Sequence, residues 1–186
     1  MLRYYITDRR RVPDLRQHVA QLVAARAVDW IQIREKDLAA RELYALCRDI
    51  VEIAKPAGVR VMVNERADVA MAAGADGVHL PSNAIAPSRF PGLFCGVSCH
   101  NEDELLRAER EGAAYAVLGP VFAPGSKEYA GPLMGLVEFA RLVRMVSIPV
   151  LALGGVTAAT AGACVDAGAA GIAAISLFDE PHGMAL

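Results

Sequence analysis

Apolar and polar positions follow two periods that take turns along this chain. Short apolar runs occur at Tyr4-Tyr5-Ile6, Trp30 to Ile33, Val59 to Val63, Gly77 to Leu80, Phe94 to Val97, Ala116 to Leu118, Pro149 to Leu153 and Gly171 to Ile175. Runs of this length bounded by turn residues read as buried strands. Most intervening stretches carry helical spacing instead. Val12 to Ala27 has Leu15, Val19, Leu22 and Val23 on one face, and Ala39 to Ala54 has Leu43, Leu46, Ile50 and Ile53. Asn101 to Gly112, Leu133 to Val146 and Thr157 to Ala167 read the same way. The first of these opens on Asn101 with Glu104 three residues on, a capping-box variant.

The spacing of the runs fixes the fold class. From Tyr4 to Gly171 there are seven intervals, a mean period of about 24 residues, the size of one strand-helix unit. Gly58, Gly74, Gly112 and Gly168 each stand between a helical stretch and the next apolar run, as helix-ending glycines do. Alternating strands and helices make a parallel sheet covered by helices. Eight strands predict one closed (β/α)₈ barrel domain over residues 1–186. Such barrels typically need about 250 residues, so the last helix is expected to be short or missing. An open, doubly wound sheet of five or six strands is the alternative.

Composition narrows the function classes. Hydrophobic residues make up 54% and charged residues 22%, which excludes a disordered chain. With 19 basic against 21 acidic residues the net charge is −2, so there is no basic excess for nucleic acid. Cys47, Cys95, Cys99 and Cys164 show no metal-ligand spacing and read as core thiols in a reducing compartment. Arg3 and the charged stretch from Asp8 interrupt any leader-like start. The longest uncharged stretch, Met145 to Val165, contains Pro149 and Gly154-Gly155, so no membrane span is expected. The protein is expected in the cytoplasm, and assembly as a homodimer is left open.

In a barrel the chemistry sits where strands end. After the second run comes Gln32-Ile33-Arg34-Glu35-Lys36. Period-two alternation places Gln32, Arg34 and Lys36 on one face, a set suited to clamping a phosphate or diphosphate. A solvated strand end with Glu35 pairing locally is the other reading. Asn64-Glu65-Arg66, His79, Ser82-Asn83, Ser98 and His100 follow the next three runs. Each alone reads as a cap, a turn or a satisfied core group; together they line one rim. After the sixth run, Ala123 to Pro132 is rich in Gly and Pro, carries Lys127, and is expected to be a mobile lid. Gly154-Gly155 after the seventh run, with Ile175-Ser176 after the eighth, supply backbone amides for a second phosphate.

These residues resemble a known family. Tyr5-Ile6-Thr7-Asp8, Gln32 to Lys36, Gly77-Val78-His79-Leu80, Gly96 to His100, Gly119-Pro120-Val121-Phe122, Ser126-Lys127, Ile148 to Val156 and Ile175-Ser176 are similar, in order and spacing, to the thiamin phosphate synthase and thiazole tautomerase (TenI-like) family. The resemblance implies a (β/α)₈ barrel. Its synthase branch joins hydroxymethylpyrimidine diphosphate to hydroxyethylthiazole phosphate and releases diphosphate, through a pyrimidine methyl cation. It implies that Gln32, Arg34, Lys36, Asn64 and Lys127 hold the pyrimidine and its diphosphate, and that Ser98 touches the diphosphate. His100 joins the substrate-binding set, and Gly154, Gly155, Ile175 and Ser176 take the thiazole phosphate.

The chain departs from that pattern at the metal. The synthase branch holds Mg²⁺ with Asn-Asp after strand three and a further Asp after strand four. Here the positions carry Asn64-Glu65 and Ala84, so Glu65 alone is left as a weak ligand. The tautomerase branch needs no metal, but its Gly-His run falls on Gly119-Pro120. Three readings therefore stand: a synthase, a tautomerase-like isomerase, and a binder of thiamin precursors without catalysis.

Overall fold

The computed structural model describes residues 1–123 and 131–179. Eight parallel strands close on themselves in chain order: β1 Leu2–Ile6, β2 Trp30–Ile33, β3 Arg60–Asn64, β4 Gly77–Leu80, β5 Phe94–Cys99, β6 Tyr115–Leu118, β7 Val150–Leu153 and β8 Gly171–Ala174. β1 pairs with both β2 and β8, which closes the ring and excludes the open sheet. Each expected run overlaps one strand, and β1, β3, β5 and β6 extend one or two residues beyond theirs. Among the described residues six α-helices cover the barrel: α1 Leu15–Ala24, α2 Ala40–Ala54, α3 Ala67–Ala73, α4 Glu102–Arg110, α5 Gly135–Val143 and α6 Ala158–Asp166.

Among the described residues two strands are followed by no α-helix. Between β4 and β5 the chain makes only a 3₁₀ turn at Pro87–Arg89. After β8 the described residues make another at Ser176–Phe178, and residues 180–186, where a last helix would lie, are outside the described residues. Two of the helices, α1 and α4, start where short polar side chains cap them. Asp14 accepts from the N–H groups of Arg16 and Gln17, and Asn101 accepts from that of Glu104, filling donors that a first turn leaves open. The Glu104 carboxylate reaches back to the His100 N–H rather than to Asn101, which is the variant part of the expected box.

Alternation sorts the strand side chains into two cores. Outward residues such as Ile31, Val61, Val63, Val78, Val97 and Ala116 pack under the helices. Inward residues Tyr4, Ile6, Trp30, Met62, Tyr115, Val117, Leu151 and Ala173 fill the barrel. Its lower interior is aromatic. Trp30 and Phe94 meet edge to face at 5.4 Å, Phe94 and Tyr115 stack at 5.3 Å, and Tyr4 meets Tyr115 edge to face at 5.7 Å. Gly96 makes that possible: a Cβ there would lie 1.9 Å from Cζ of Tyr115. All four cysteines are free and buried, and burial pushes the Cys47 and Cys99 thiols up to about 12.

Candidate active site

One ring of inward positions above the aromatic floor is polar on one side and apolar on the other. Gln32 (β2), Asn64 (β3), His79 (β4) and Ser98 (β5) occupy adjacent strands, with Asn64 beside His79 in register. Val117, Leu153 and Ile175 line the opposite side. The polar members hold one another. Gln32 Nε2 donates to Asn64 Oδ1 at 2.9 Å, and Asn64 Nδ2 donates to Glu65 Oε2 at 2.9 Å. His79 Nε2 lies 2.8 Å from Ser98 Oγ, its Nδ1 lies 3.1 Å from the Tyr115 hydroxyl, and that hydroxyl lies 2.8 Å from the Tyr4 hydroxyl. Burial, with the Arg34 charge as a smaller cause, holds the His79 imidazolium down to about 3, so the ring is neutral.

Two groups in this ring are left waiting. Gln32 is 2% exposed, and its Oε1 has no donor among the described residues. A buried acceptor without a donor is costly and marks a place for a ligand N–H. Arg34 is half-buried just above, with no carboxylate partner among the described residues. Its backbone is anchored, since its N–H donates to Thr7 Oγ1 at 3.0 Å.

The β2 end differs in part from the alternation argument. The strand stops at Ile33, so period two carries Gln32 inward and Arg34 to the rim but does not govern Lys36. Lys36 lies in the turn beyond, exposed, with its Nζ 3.9 Å from Glu65 Oε2. Glu35 is not solvated. It is buried, accepts from Thr7 Oγ1 at 2.6 Å and from the Arg9 N–H at 3.1 Å, and so ties the β1 and β2 ends together. Thr7 and Glu35 are structural latches for Arg34 that composition did not reveal. The sequence signal was a hydroxyl and a carboxylate at equivalent strand ends.

Among the described residues Glu65 is one of two other than glycine with positive φ, at 60°. Such backbone strain collects at functional sites. Its N–H donates to His79 O at 2.9 Å, which locks the β3 end to β4. Ala84 packs against the core under the helices. Among the described residues no group of three or more His, Cys, Asp or Glu side chains could hold a metal ion. One carboxylate already bonded to Asn64 and facing Lys36 does not fit a preformed Mg²⁺ centre.

On the far side, Gly154 and Gly155 follow β7 with φ of 92° and 61°. A Cβ on Gly155 would lie 2.4 Å from the Ala123 carbonyl oxygen, so glycine is required. Among the described residues no backbone acceptor is bonded to either amide. Ile175 borders the apolar side, and Ser176 is exposed at the start of the 3₁₀ turn after β8. His100 stands apart from this cavity: it is exposed, and its Nδ1 is 2.9 Å from Glu104 Oε2. Lys127 and the expected lid around it lie outside the described residues.

The comparisons agree with this geometry. A family profile described as thiamine monophosphate synthase matches residues 3–178. The thiamine-phosphate synthase of Methanoculleus marisnigri is 42% identical over 180 residues, 93% of this chain and 85% of that protein. The putative thiamine-phosphate synthase 2 of Aquifex aeolicus is 38% identical over 95% of this chain and 97% of that one. Among solved structures, the thiamine phosphate pyrophosphorylase from Pyrococcus furiosus superposes with a TM-score of 0.86 at 30% identity, covering 96% of this chain and 88% of that one. With a barrel that closes in the expected order and a two-sided mouth at its strand ends, the chain belongs to the thiamine monophosphate synthase family.

Proposed function

We propose that the protein condenses hydroxymethylpyrimidine diphosphate with hydroxyethylthiazole phosphate to give thiamin phosphate and diphosphate. The observation that carries this reading is that, among the described residues, Oε1 of Gln32 has no donor and the half-buried guanidinium of Arg34 has no carboxylate. An acceptor for an amino N–H on a heteroaromatic ring and a cation for a phosphate thus follow one another at the end of β2. The Gly154-Gly155 amides across the mouth give a second anion site, so two phosphorylated substrates meet over the polar ring.

In a dissociative displacement the protein's work is positioning and charge stabilisation. Gln32, oriented by Asn64, holds the pyrimidine. Arg34 takes the departing diphosphate as a bidentate donor, Ser98 adds a hydroxyl donor, and Lys36 and Lys127 supply further positive charge. Gly154, Gly155 and Ser176 fix the thiazole phosphate, and Ile175 offers the ring an apolar wall. The site does not fit a standing Mg²⁺, and no step is assigned to one.

The isomerase reading has less support. It needs a titratable group at the substrate. Among the described residues, His79 is bonded through both ring nitrogens, His100 faces Glu104, and Pro120 carries no proton. Four free thiols and the absence, among the described residues, of any helix long and apolar enough to cross a membrane fit a cytoplasmic setting.

Purified protein incubated with both substrates should form thiamin phosphate, read by chromatography against an authentic standard. No product over a range of Mg²⁺ concentrations, with the thiazole phosphate still binding in calorimetry, would reject synthesis and favour a binder.

A further inference from the structure

The hydrogen-bond chain Tyr4–Tyr115–His79–Ser98 runs from the buried floor of the barrel to its mouth, and its direction is decided by what lies at the two ends. A phenol or alcohol hydroxyl donates once and accepts, and a neutral imidazole has one donor and one acceptor nitrogen. Run outward, Tyr4 donates to Tyr115, Tyr115 donates to His79 Nδ1, and His79 Nε2–H donates to Ser98 Oγ. Every buried proton then has an acceptor, and only the Ser98 proton is free, at the half-buried end. Run inward, Ser98 donates to Nε2, Nδ1–H donates to Tyr115, and Tyr115 donates to Tyr4. The Tyr4 proton is then stranded among Trp30, Tyr115 and His79, wholly buried, with no acceptor among the described residues. A stranded buried donor costs more than an exposed free one.

We propose that His79, fixed in its Nε2–H form by Tyr115 and Tyr4, is a positioning residue that commits the Ser98 hydroxyl as a donor to an anionic oxygen at the barrel mouth. Because Ser98 accepts from behind, its one proton has nowhere to go but outward, toward the space that Arg34 overlooks. The barrel floor thus carries no reacting group yet sets the polarity of one that touches ligand. This rests on the reading of Ser98 as a diphosphate contact. The neutral state of the ring agrees with it, since an imidazolium would also need an acceptor at Nδ1.

Long-range ¹H–¹⁵N correlation spectra of the unmodified protein at pH 7.5 report the tautomer directly. The His79 ring, identified as the signal absent from His79→Gln, is expected to carry its proton on Nε2. A proton on Nδ1 overturns the proposal without need of any variant that must fold. Calorimetry with inorganic pyrophosphate supplies the second readout. Ser98→Ala is expected to bind about tenfold more weakly, the size of one hydrogen bond to a charged group. His79→Gln keeps an N–H close to the Nε2 position and should stay within about twofold of the unmodified protein. His79→Leu, which fills the same space without a donor, should lose several-fold. A role in packing alone would favour leucine over glutamine, so His79→Leu binding as tightly as the unmodified protein, with Ser98→Ala impaired, overturns the positioning role alone. Undiminished binding by Ser98→Ala removes the anion contact itself and the proposal with it.

Discussion

One missing carbon at Gly96 decides what the barrel can hold. The Tyr115 ring occupies the place where a side chain on β5 would point, 1.9 Å from an added Cβ, and it cannot retreat because Phe94, Trp30 and Tyr4 surround it. Gly96→Ala should therefore cost at least 1–3 kcal/mol, the range for overpacked cores, and urea unfolding would read it; an unchanged midpoint would mean the aromatic floor is looser than it stands here. At the rim the expectation concerns binding. Arg34 has no competing carboxylate among the described residues, so Arg34→Ala should lose roughly 1.5–3 kcal/mol of pyrophosphate affinity, while Ser176→Ala should leave that ligand alone and weaken a thiazole phosphate. Equal losses of one ligand in both variants would remove the division into two anion sites. Gln32 is legible from alternation because a strand imposes it on every residue up to its end, and Arg34 follows one residue past that end. Lys36 was legible as chemistry but not as geometry, since β2 stops three residues earlier. His100 lies one residue past β5, where the chain turns into the α4 cap and Glu104 bonds the ring. Tyr4 and Tyr115 were invisible as a polar pair, because nothing local distinguishes a tyrosine that fills a core from one that passes a hydrogen bond through it.

The loops after β3 and β4 carry the clearest departure from the family pattern. In the first, Glu65 at φ 60° leans between the Asn64 amide and Lys36; in the second, Ala84 is partly buried against the apolar core. Divalent cations of the Mg²⁺ type normally take one or two carboxylates plus substrate phosphates. With a single carboxylate already shared, a cation would depend on the diphosphate to bring it in. Turnover is expected to be low at ordinary Mg²⁺ and to rise when Glu65→Asp and Ala84→Asp are combined, with Asn83→Asp as the neighbouring exposed position. Initial rates over a Mg²⁺ series check this: efficient turnover by the unmodified protein with no gain in the variants would show that Lys36 and Arg34 suffice. Element type was readable wherever the repeat was regular. Gly74 signals the end of α3, but the seven residues Ala67–Ala73 include too little branched apolar side chain to show a period that would give its span. α1 and α5 are shorter than the apolar spacing predicts, because that spacing continues into their flanking loops while the Asp14 cap and the approach to β7 set the real ends.

At the scale of the molecule, proton binding links the buried relay to overall stability. His79 is neutral in the fold, held to about 3, but an unfolded histidine titrates near 6.5. Between those values the unfolded chain binds a proton that the folded chain does not, so stability rises with pH and falls as pH drops from 6.5 toward 3. While that window lasts, the slope is at most about 1.4 kcal/mol per pH unit from this one ring. Surface carboxylates act lower down. The side-chain bond from Arg9 holds Asp37 at about 2, and that from Arg66 holds Asp68 at about 2. Both contributions are complete above the ordinary carboxylate range and are lost as pH falls toward 2, and solvent screens them. The melting temperature is therefore expected to be level above pH 7, to decline from about pH 6.5 to pH 4 through His79, and to fall further below pH 4 as carboxylates protonate. His79→Gln separates the two causes, because glutamine does not titrate: its melting curve should be flatter between pH 6.5 and 4, with the decline below pH 4 retained. Circular dichroism melts at half-unit steps suffice to see this. A variant that declines in parallel with the unmodified protein through the upper window would mean that the ring is protonated in the fold, and that the barrel interior is wetter than its burial implies.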